Sequence, residues 1–381
     1  MISRRAAVLP APVLPDLLAR AAGADVVDLA LGIPPSGPAP DLSDAAHEAL
    51  RSGAHQYTDP AGLPALREVV AAELARERGV PVDPDREVTI TCGATEGVLA
   101  ALLAVTDAGD EVLVPDPAFE NHPGAVVLAG AVVRPVPLVG RRWALDPDAL
   151  AAACTARTRA VLLNTPHNPT GRSFTRAEVE GVLRLCEERD LVCVTDEVYH
   201  RYTFDGREHV SPLGLTGPGE RAVVVGSFSK VRGVPGWRLG YAVAGERLTA
   251  ALRGVHARLT LGAATPLQQA LATAGPGGEP CGTAESRARR AQLVAGLGEL
   301  GLRVVEPEGG WFLLAGVDGL GWASDELAGK LAAEAGLLVA PGTVFFADPA
   351  EGRRWLRFNL VRDEATTAEG LRRLRRFLNG S

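Results

Sequence analysis

Between Glu111 and Val194 short apolar runs alternate with longer stretches of helical periodicity, and this alternation narrows the possible folds more than any other feature of the chain. Val112-Leu113-Val114, Val132-Val133, Ala160 to Leu163 and Leu191 to Val194 read as strands, continuous in apolarity and rich in β-branched residues. Phe119 to Leu128 and Thr175 to Arg189 read as the helices between them. Strands that are apolar on both faces must be covered on both faces, so the fold class is α/β, a mostly parallel sheet between layers of helices. In such sheets ligands sit beyond the carboxyl ends of the strands, which is where chemistry should be sought.

The pattern extends in both directions. Glu87 to Thr91 reads as a strand and Thr95 to Val105 as a helix; Ala222 to Gly226 and Leu239 to Ala244 read as further strands. Ahead of them come a short helix from Ser43 to Ser52 and an amphipathic one with Leu66, Val69, Val70 and Leu74 on one face. Helices are expected over residues 246–300, broken at Gly275-Pro-Gly-Gly-Glu-Pro280. Leu302 to Val305, Trp311 to Leu314, Leu337 to Val339 and Trp355 to Leu360, with helices between, suggest a small α+β unit. A chain of 381 residues exceeds what one hydrophobic core usually supports. The expected division is an arm with part of the small domain over 1–45, a large domain over 46–275 and a small domain over 276–381.

Composition excludes several roles. A net charge of −7 argues against a nucleic-acid partner, and no run approaches the roughly 20 apolar residues of a membrane span. Arg4-Arg5 faintly resembles an export signal, but Pro10, Pro12, Pro15 and Asp16 interrupt its apolar core. The five cysteines show no CxxC spacing, which fits reduced thiols in the cytoplasm, and no metal site is read.

The strand Ala222 to Gly226 delivers Ser227-Phe228-Ser229-Lys230 to its carboxyl end. An ammonium withdrawn from water needs a reason, and one is covalent: a desolvated lysine of lowered pKa forms a Schiff base with an aldehyde, pyridoxal 5'-phosphate (PLP) being the commonest aldehyde cofactor. The hydroxyls of Ser227 and Ser229 and the guanidinium of Arg238 suit its phosphate. Gly93, Ala94 and Thr95, a small-residue turn opening a helix, form a second anion cradle. Asp196 ends the next strand in Thr195-Asp-Glu-Val-Tyr199, where a carboxylate needs a cationic partner; Glu197 reads as its structural neighbour. Asn168 lies in Asn164-Thr-Pro-His-Asn-Pro-Thr-Gly171, a backbone stiffened by proline, with His167 as loop scaffold. Arg357, in Trp355-Leu-Arg-Phe-Asn-Leu360, is a cation among apolar residues and needs an anion.

The string Ser227 to Tyr241, S-F-S-K-V-R-G-V-P-G-W-R-L-G-Y, resembles the lysine motif of class I/II aminotransferases, PLP enzymes of fold type I, and the other motifs follow in that family's order. The resemblance covers nearly the whole chain. It implies that Lys230 carries the cofactor, that Asp196 keeps the ring nitrogen protonated, and that Asn168 and Tyr199 hydrogen-bond the ring oxygen. It also implies that Phe119 stacks on the ring, that Arg238 holds the phosphate, and that Arg357 takes the substrate α-carboxylate. Gly32, in Leu29-Ala-Leu-Gly-Ile-Pro34, would approach the substrate, and Tyr57 would reach the cofactor phosphate of the other subunit, making a homodimer with shared sites.

The implied activity moves the amino group of an L-amino acid to a 2-oxo acid in two half-reactions, with Lys230 carrying the proton from the α-carbon. A β-lyase, racemase, cyclase or oxidase on the same scaffold is the alternative, since those reactions start with the same deprotonation. A PLP-sensing regulator is more remote, because no room for a DNA-binding module precedes Tyr57. His122 stands where many relatives have an aromatic, Gly32-Ile-Pro-Pro replaces an acidic continuation, and Trp311 lies in Gly309-Gly-Trp-Phe-Leu. These positions favour a neutral or aromatic substrate side chain.

Overall fold

The computed structural model describes residues 2–9, 19, 25–34, 36–278, 280 and 283–380. Pro10, Pro12, Pro15, Asp16 and Cys281, which entered the reading of export and redox state, lie outside them.

Strand β1 is Val27–Asp28. The strands β2 (Val88–Thr91), β3 (Glu111–Asp116), β4 (Val132–Pro137), β5 (Thr158–Asn164), β6 (Val192–Asp196), β7 (Ala222–Ser227) and β8 (Gly240–Val243) form one seven-stranded sheet in the order β2-β8-β7-β6-β5-β3-β4. Helical crossovers keep β3 to β7 parallel. β8 runs against both neighbours, because the chain leaving β7 turns back within a dozen residues with no crossover long enough to restore its direction. Alternate residues pack on opposite faces. Val112, Val114, Ala160 and Leu162 join one core with Val98 and Leu102, while Leu113, Val161 and Leu163 join the other with Phe174, Val179 and Val182.

The register aligns the chemistry. Asn164 pairs with Asp196, Asp196 with Val225, and Gly240 with both Ser227 and Thr91, so the carboxyl ends of β5, β6, β7 and β2 lie side by side. Helix Arg176–Arg189 starts where expected because Thr175 and Glu178 form a capping box. The helix expected from Phe119 begins instead at Asn121. Ala118 N–H donates across the chain to the Phe345 carbonyl, 2.8 Å away, and this holds the preceding segment out of the helix. The helix expected from Ser43 begins earlier, at Pro40, and the helices over 246–300 break also between Leu259 and Thr265.

A second sheet, antiparallel, contains β9 (Arg303–Val304), β10 (Phe312–Gly316), β12 (Ala340–Pro341) and β13 (Trp355–Asn359) in the order β12-β13-β10-β9. The run read as one strand over Leu337 to Val339 is divided: β11 (Leu337–Leu338) pairs with β1, and β12 follows it. The N-terminal segment is laid along this second sheet, with Asn359 N–H donating to the Leu29 carbonyl at 2.8 Å and Arg362 paired with Asp28. Ala30 to Gly32 thereby come between the two sheets' sites.

Glu197, next to Asp196, is fully buried, and its carboxylate meets Arg78 at 2.7 Å, His209 at 2.8 Å and the Ser211 hydroxyl at 2.7 Å. Burial opposes its ionisation, but Arg78, His209 and Ser211 outweigh that and hold it at about 2, below the ordinary 4.5. A lowered folded-state value means that this contribution to stability is present above pH 4.5 and is lost as pH falls toward 2. Glu197→Ala would leave Arg78 buried without its partner, and the expected loss in denaturant unfolding is roughly 3–5 kcal/mol at neutral pH.

Candidate active site

The aligned strand ends open into a cleft of about 580 Å3, walled on the other side by the segment Leu31 to Ile33 and by Phe312 and Arg357 of the second sheet. Of the residues singled out from sequence, Gly32, Ala94, Thr95, Phe119, Asn168, Asp196, Tyr199, Ser227, Ser229, Lys230, Arg238 and Arg357 all line it. Gly93 stands just behind, and Tyr57 lies outside the lining, 86% exposed.

Lys230 sits on the one-turn helix Phe228–Val231, whose start is capped by the Ser227 hydroxyl accepting from Ser229 N–H at 3.0 Å. Its Nζ donates to the Gly32 carbonyl at 2.7 Å and lies 4.9 Å from the centre of the Trp311 ring. Burial, reinforced by Arg238 and Arg357 and opposed by Asp196, lowers the amine from 10.5 to about 8. A neutral, nucleophilic amine is therefore accessible near physiological pH. Gly32 must be glycine: a Cβ there would lie 2.6 Å from Phe312 Cζ.

At one end of the cleft, helix Ala94–Val105 points its N-terminus at Arg238. Gly93 precedes it at φ +77° with no side chain to cap the helix, and a Cβ at that position would stand 2.4 Å from Arg238 Nη2. Free helix N–H groups, a guanidinium and the hydroxyls of Ser227 and Ser229 together suit a doubly charged anion.

At the other end Arg357, central in β13, donates to Asn168 Oδ1 at 3.0 Å and the Ala30 carbonyl at 2.9 Å. Its guanidinium lies between the Phe312 and Phe345 rings, at 3.9 and 4.5 Å from their centres. Among the described residues no carboxylate lies within ion-pair distance, and Nε has no partner. Burial, countered by Glu120, lowers this guanidinium to about 10. A buried, unpaired arginine at a cleft wall is matched by a planar carboxylate from a ligand.

Between these ends, Asp196 accepts from Val198 N–H at 3.2 Å and from His122 Nε2 at 3.0 Å. Asn164 ties the strand ends, donating to the Asp196 carbonyl at 2.9 Å and accepting from Asn168 N–H at 2.7 Å. Tyr199 packs against Trp311 and Phe312, and burial pushes its phenol above the ordinary 10. His167 is buried in the loop beside Thr170, lowered to about 3 by burial, and stays neutral there.

The residue that sequence reasoning passed over is His122. It meets Phe119 edge to face at 5.3 Å and holds Asp196, so it is part of the site rather than a departure from it. The sequence carried no sign of these contacts, since Phe119 and Glu120 form a turn ahead of the helix and Asp196 is distant in the chain.

The sequence pattern of aminotransferase class I and II matches residues 24–374. The solved structure of N-succinyldiaminopimelate aminotransferase from Mycobacterium tuberculosis superposes with a TM-score of 0.92 at 34% identity, covering 99% of this chain and 100% of that one. Human kynurenine–oxoglutarate transaminase 1 is 31% identical over 380 residues, 90% of each chain. The methionine aminotransferase of Escherichia coli is 34% identical over 330 residues, 86% of this chain and 85% of its own.

In cofactor-free protein, reaction of Lys230 with an amine-directed reagent should rise with pH around a midpoint near 8. The chain has two lysines, and the Lys330 peptide reports the reagent independently. Peptide mass spectrometry across pH reads the midpoint, and one near 10.5 would contradict the electrostatics described.

Proposed function

The chain belongs to the class I and II aminotransferase family, an enzyme family that moves amino groups between amino acids and 2-oxo acids, and on that premise we propose how its residues act. The relatives above are named as aminotransferases or transaminases, which does not favour the lyase, cyclase or oxidase alternative. One observation carries the reading: Lys230 and the unpaired Arg357 converge on a single cleft whose far end is an anion cradle.

The family implies pyridoxal 5'-phosphate, and the residues present fit it. Arg238 packed over Gly93, with Ala94, Thr95, Ser227 and Ser229 around it, would hold the phosphate; Phe119 would face the ring, Asp196 its nitrogen, and Asn168 and Tyr199 its oxygen. When bound, the cofactor supplies the aldehyde carbon that Lys230 holds and an acceptor for the electron pair left at the substrate α-carbon. Everything else is done by the chain. Arg357 takes the α-carboxylate through two N–H groups, which fixes where the α-carbon lies. Lys230 Nζ, steadied by the Gly32 carbonyl and neutral in part near pH 8, takes the α-proton as general base and returns a proton as general acid. His122 keeps Asp196 in place as its charge faces the ring. Ile33, Phe119 and Phe312 make most of the remaining wall apolar, which supports a neutral or aromatic side chain.

The active enzyme in this reading is a homodimer with shared sites. Tyr57 is exposed, and its loop is fastened to the turn that carries the exposed Leu259 and Leu261, Thr265 Oγ1 donating to the Gln56 carbonyl at 2.6 Å. An apolar patch beside a cofactor-reaching tyrosine supports a partner surface there. The two sheets support a division into an arm over 1–45, a large domain over 46–275 and a small domain over 276–381. Free thiols at Cys92, Cys154, Cys186 and Cys193 support a cytoplasmic setting.

The test combines a reaction with a chemical mark. Holoenzyme given a neutral amino acid should yield its 2-oxo acid, and a second 2-oxo acid should then be converted to an amino acid. Borohydride reduction should attach the cofactor mass to the Lys230 peptide and not to Lys330; Lys230→Ala should lose both signals. Arg357→Gln should raise KM for amino acids, a cost of roughly 2–5 kcal/mol for unpairing a buried charge. Ammonia release without amino acid formation would overturn the transfer reading. For the dimer, mixing inactive Lys230→Ala with inactive Tyr57→Ala should restore activity, since one site of each mixed pair is then intact. No recovery after subunit exchange would refute a shared site.

A further inference from the structure

One carboxylate in the cleft has no task in the chemistry above. Glu120 follows Phe119 and immediately precedes helix Asn121–Leu128, with no side-chain hydrogen bond to the helix's first N–H groups. Among the described residues none engages its carboxylate in a hydrogen bond or ion pair. It lines the cleft with Lys230 and Arg357, and it is half withdrawn from water. Burial raises it above the ordinary carboxylate range, with Arg357 acting the other way. A partly buried carboxylate with no hydrogen-bond partner is unfavourable for the fold alone, and its place on the cleft wall points to a ligand group as its partner.

The orientation of that ligand rests on the amino-transfer reading. With its carboxylate on Arg357 and its α-carbon at Lys230, an amino acid directs its side chain to the remaining wall, formed by Ile33, Phe119 and Glu120. Two of these are apolar and one is an acceptor. We propose that Glu120 selects the substrate side chain: it accepts a hydrogen bond from an N–H donor carried on an otherwise neutral side chain, an amide or an indole, and it disfavours an acidic one. An ionised carboxylate can only accept, so a side-chain carboxylate set against it meets like charge and an unsatisfied acceptor. Discrimination of this kind is strong because the buried polar group is left unpaired by the wrong ligand.

The test uses the holoenzyme, with Glu120→Gln and Glu120→Ala. The first readout needs no turnover: calorimetric binding of straight-chain monocarboxylates that lack an α-amino group and end in a carbamoyl, an alkyl or a second carboxylate group of similar size. The wild type should bind the carbamoyl compound about tenfold tighter than the alkyl one, as expected for a charge-assisted hydrogen bond, and the dicarboxylate most weakly. In Glu120→Gln the dicarboxylate should gain affinity, while in Glu120→Ala the carbamoyl preference should vanish. The second readout is kcat/KM for glutamine, methionine and glutamate, where Glu120→Gln should raise the glutamate value and lower the glutamine value. An unchanged order of ligands in the variants, or a wild type indifferent to the terminal group, overturns the proposal. Because binding is read without amino transfer, an enzyme that orders the ligands as described yet transfers no amino group would refute the reaction and keep the role of Glu120.

Discussion

Three cations, Lys230, Arg238 and Arg357, line one cleft, and the rest of the site is arranged around their mutual repulsion and lost hydration. Burial lowers the Lys230 amine, and Arg238 and Arg357 lower it further. Two carboxylates face them, and Asp196 is already engaged by His122. Such a cleft is most favourable when two anions enter it, one at the helix N-terminus beside Arg238 and one at Arg357. The electrostatic strain of the free protein and its capacity to hold two anions are the same property.

The sheet makes that concentration of charge possible. Parallel strands with helical crossovers bring Asn164, Asp196 and Ser227 to one edge, and the reversal into β8 places Arg238 beside Gly93 rather than on the far side. A buried ion cluster around Glu197 anchors the residue next to Asp196, so the Asp196 carboxylate stands on rigid ground. The second sheet supplies Arg357 and Phe312, and the N-terminal segment between the two supplies the Gly32 carbonyl that holds Lys230.

Much of this was legible in the chain. The strands at Val112, Ala160, Leu191 and Ala222 were readable because residues buried on both faces leave an unbroken apolar run, and the exposed edge strand at Val132 was readable from its β-branched pair. Asp196 and Arg357 stood out as charged residues within apolar strands, and Lys230, Asn168 and Arg238 as polar residues in the Gly- and Pro-marked motifs beside strand ends. His122 and Glu120 were less legible. His122 shows its role only when Asp196 is brought within 3.0 Å of it, and Glu120 looks like an ordinary first-turn acid of the helix expected from Phe119 until it is found lining the cleft. The start of the helix after Phe119 was misplaced because a hydrogen bond to Phe345, distant in sequence, decides it.

The sequence by itself determined the layered α/β architecture, the order of the motifs and the residue types available for chemistry, because periodicity and turn residues act over a few positions. Only the tertiary structure decided which groups meet. The pairing of His122 with Asp196, the Gly32 carbonyl on Lys230, the lack of an ion-pair partner for Arg357 among the described residues and the position of Glu120 on the cleft wall all depend on long-range packing. The pKa of Lys230 belongs to that second group as well, since desolvation and neighbouring charge exist only once the chain is folded.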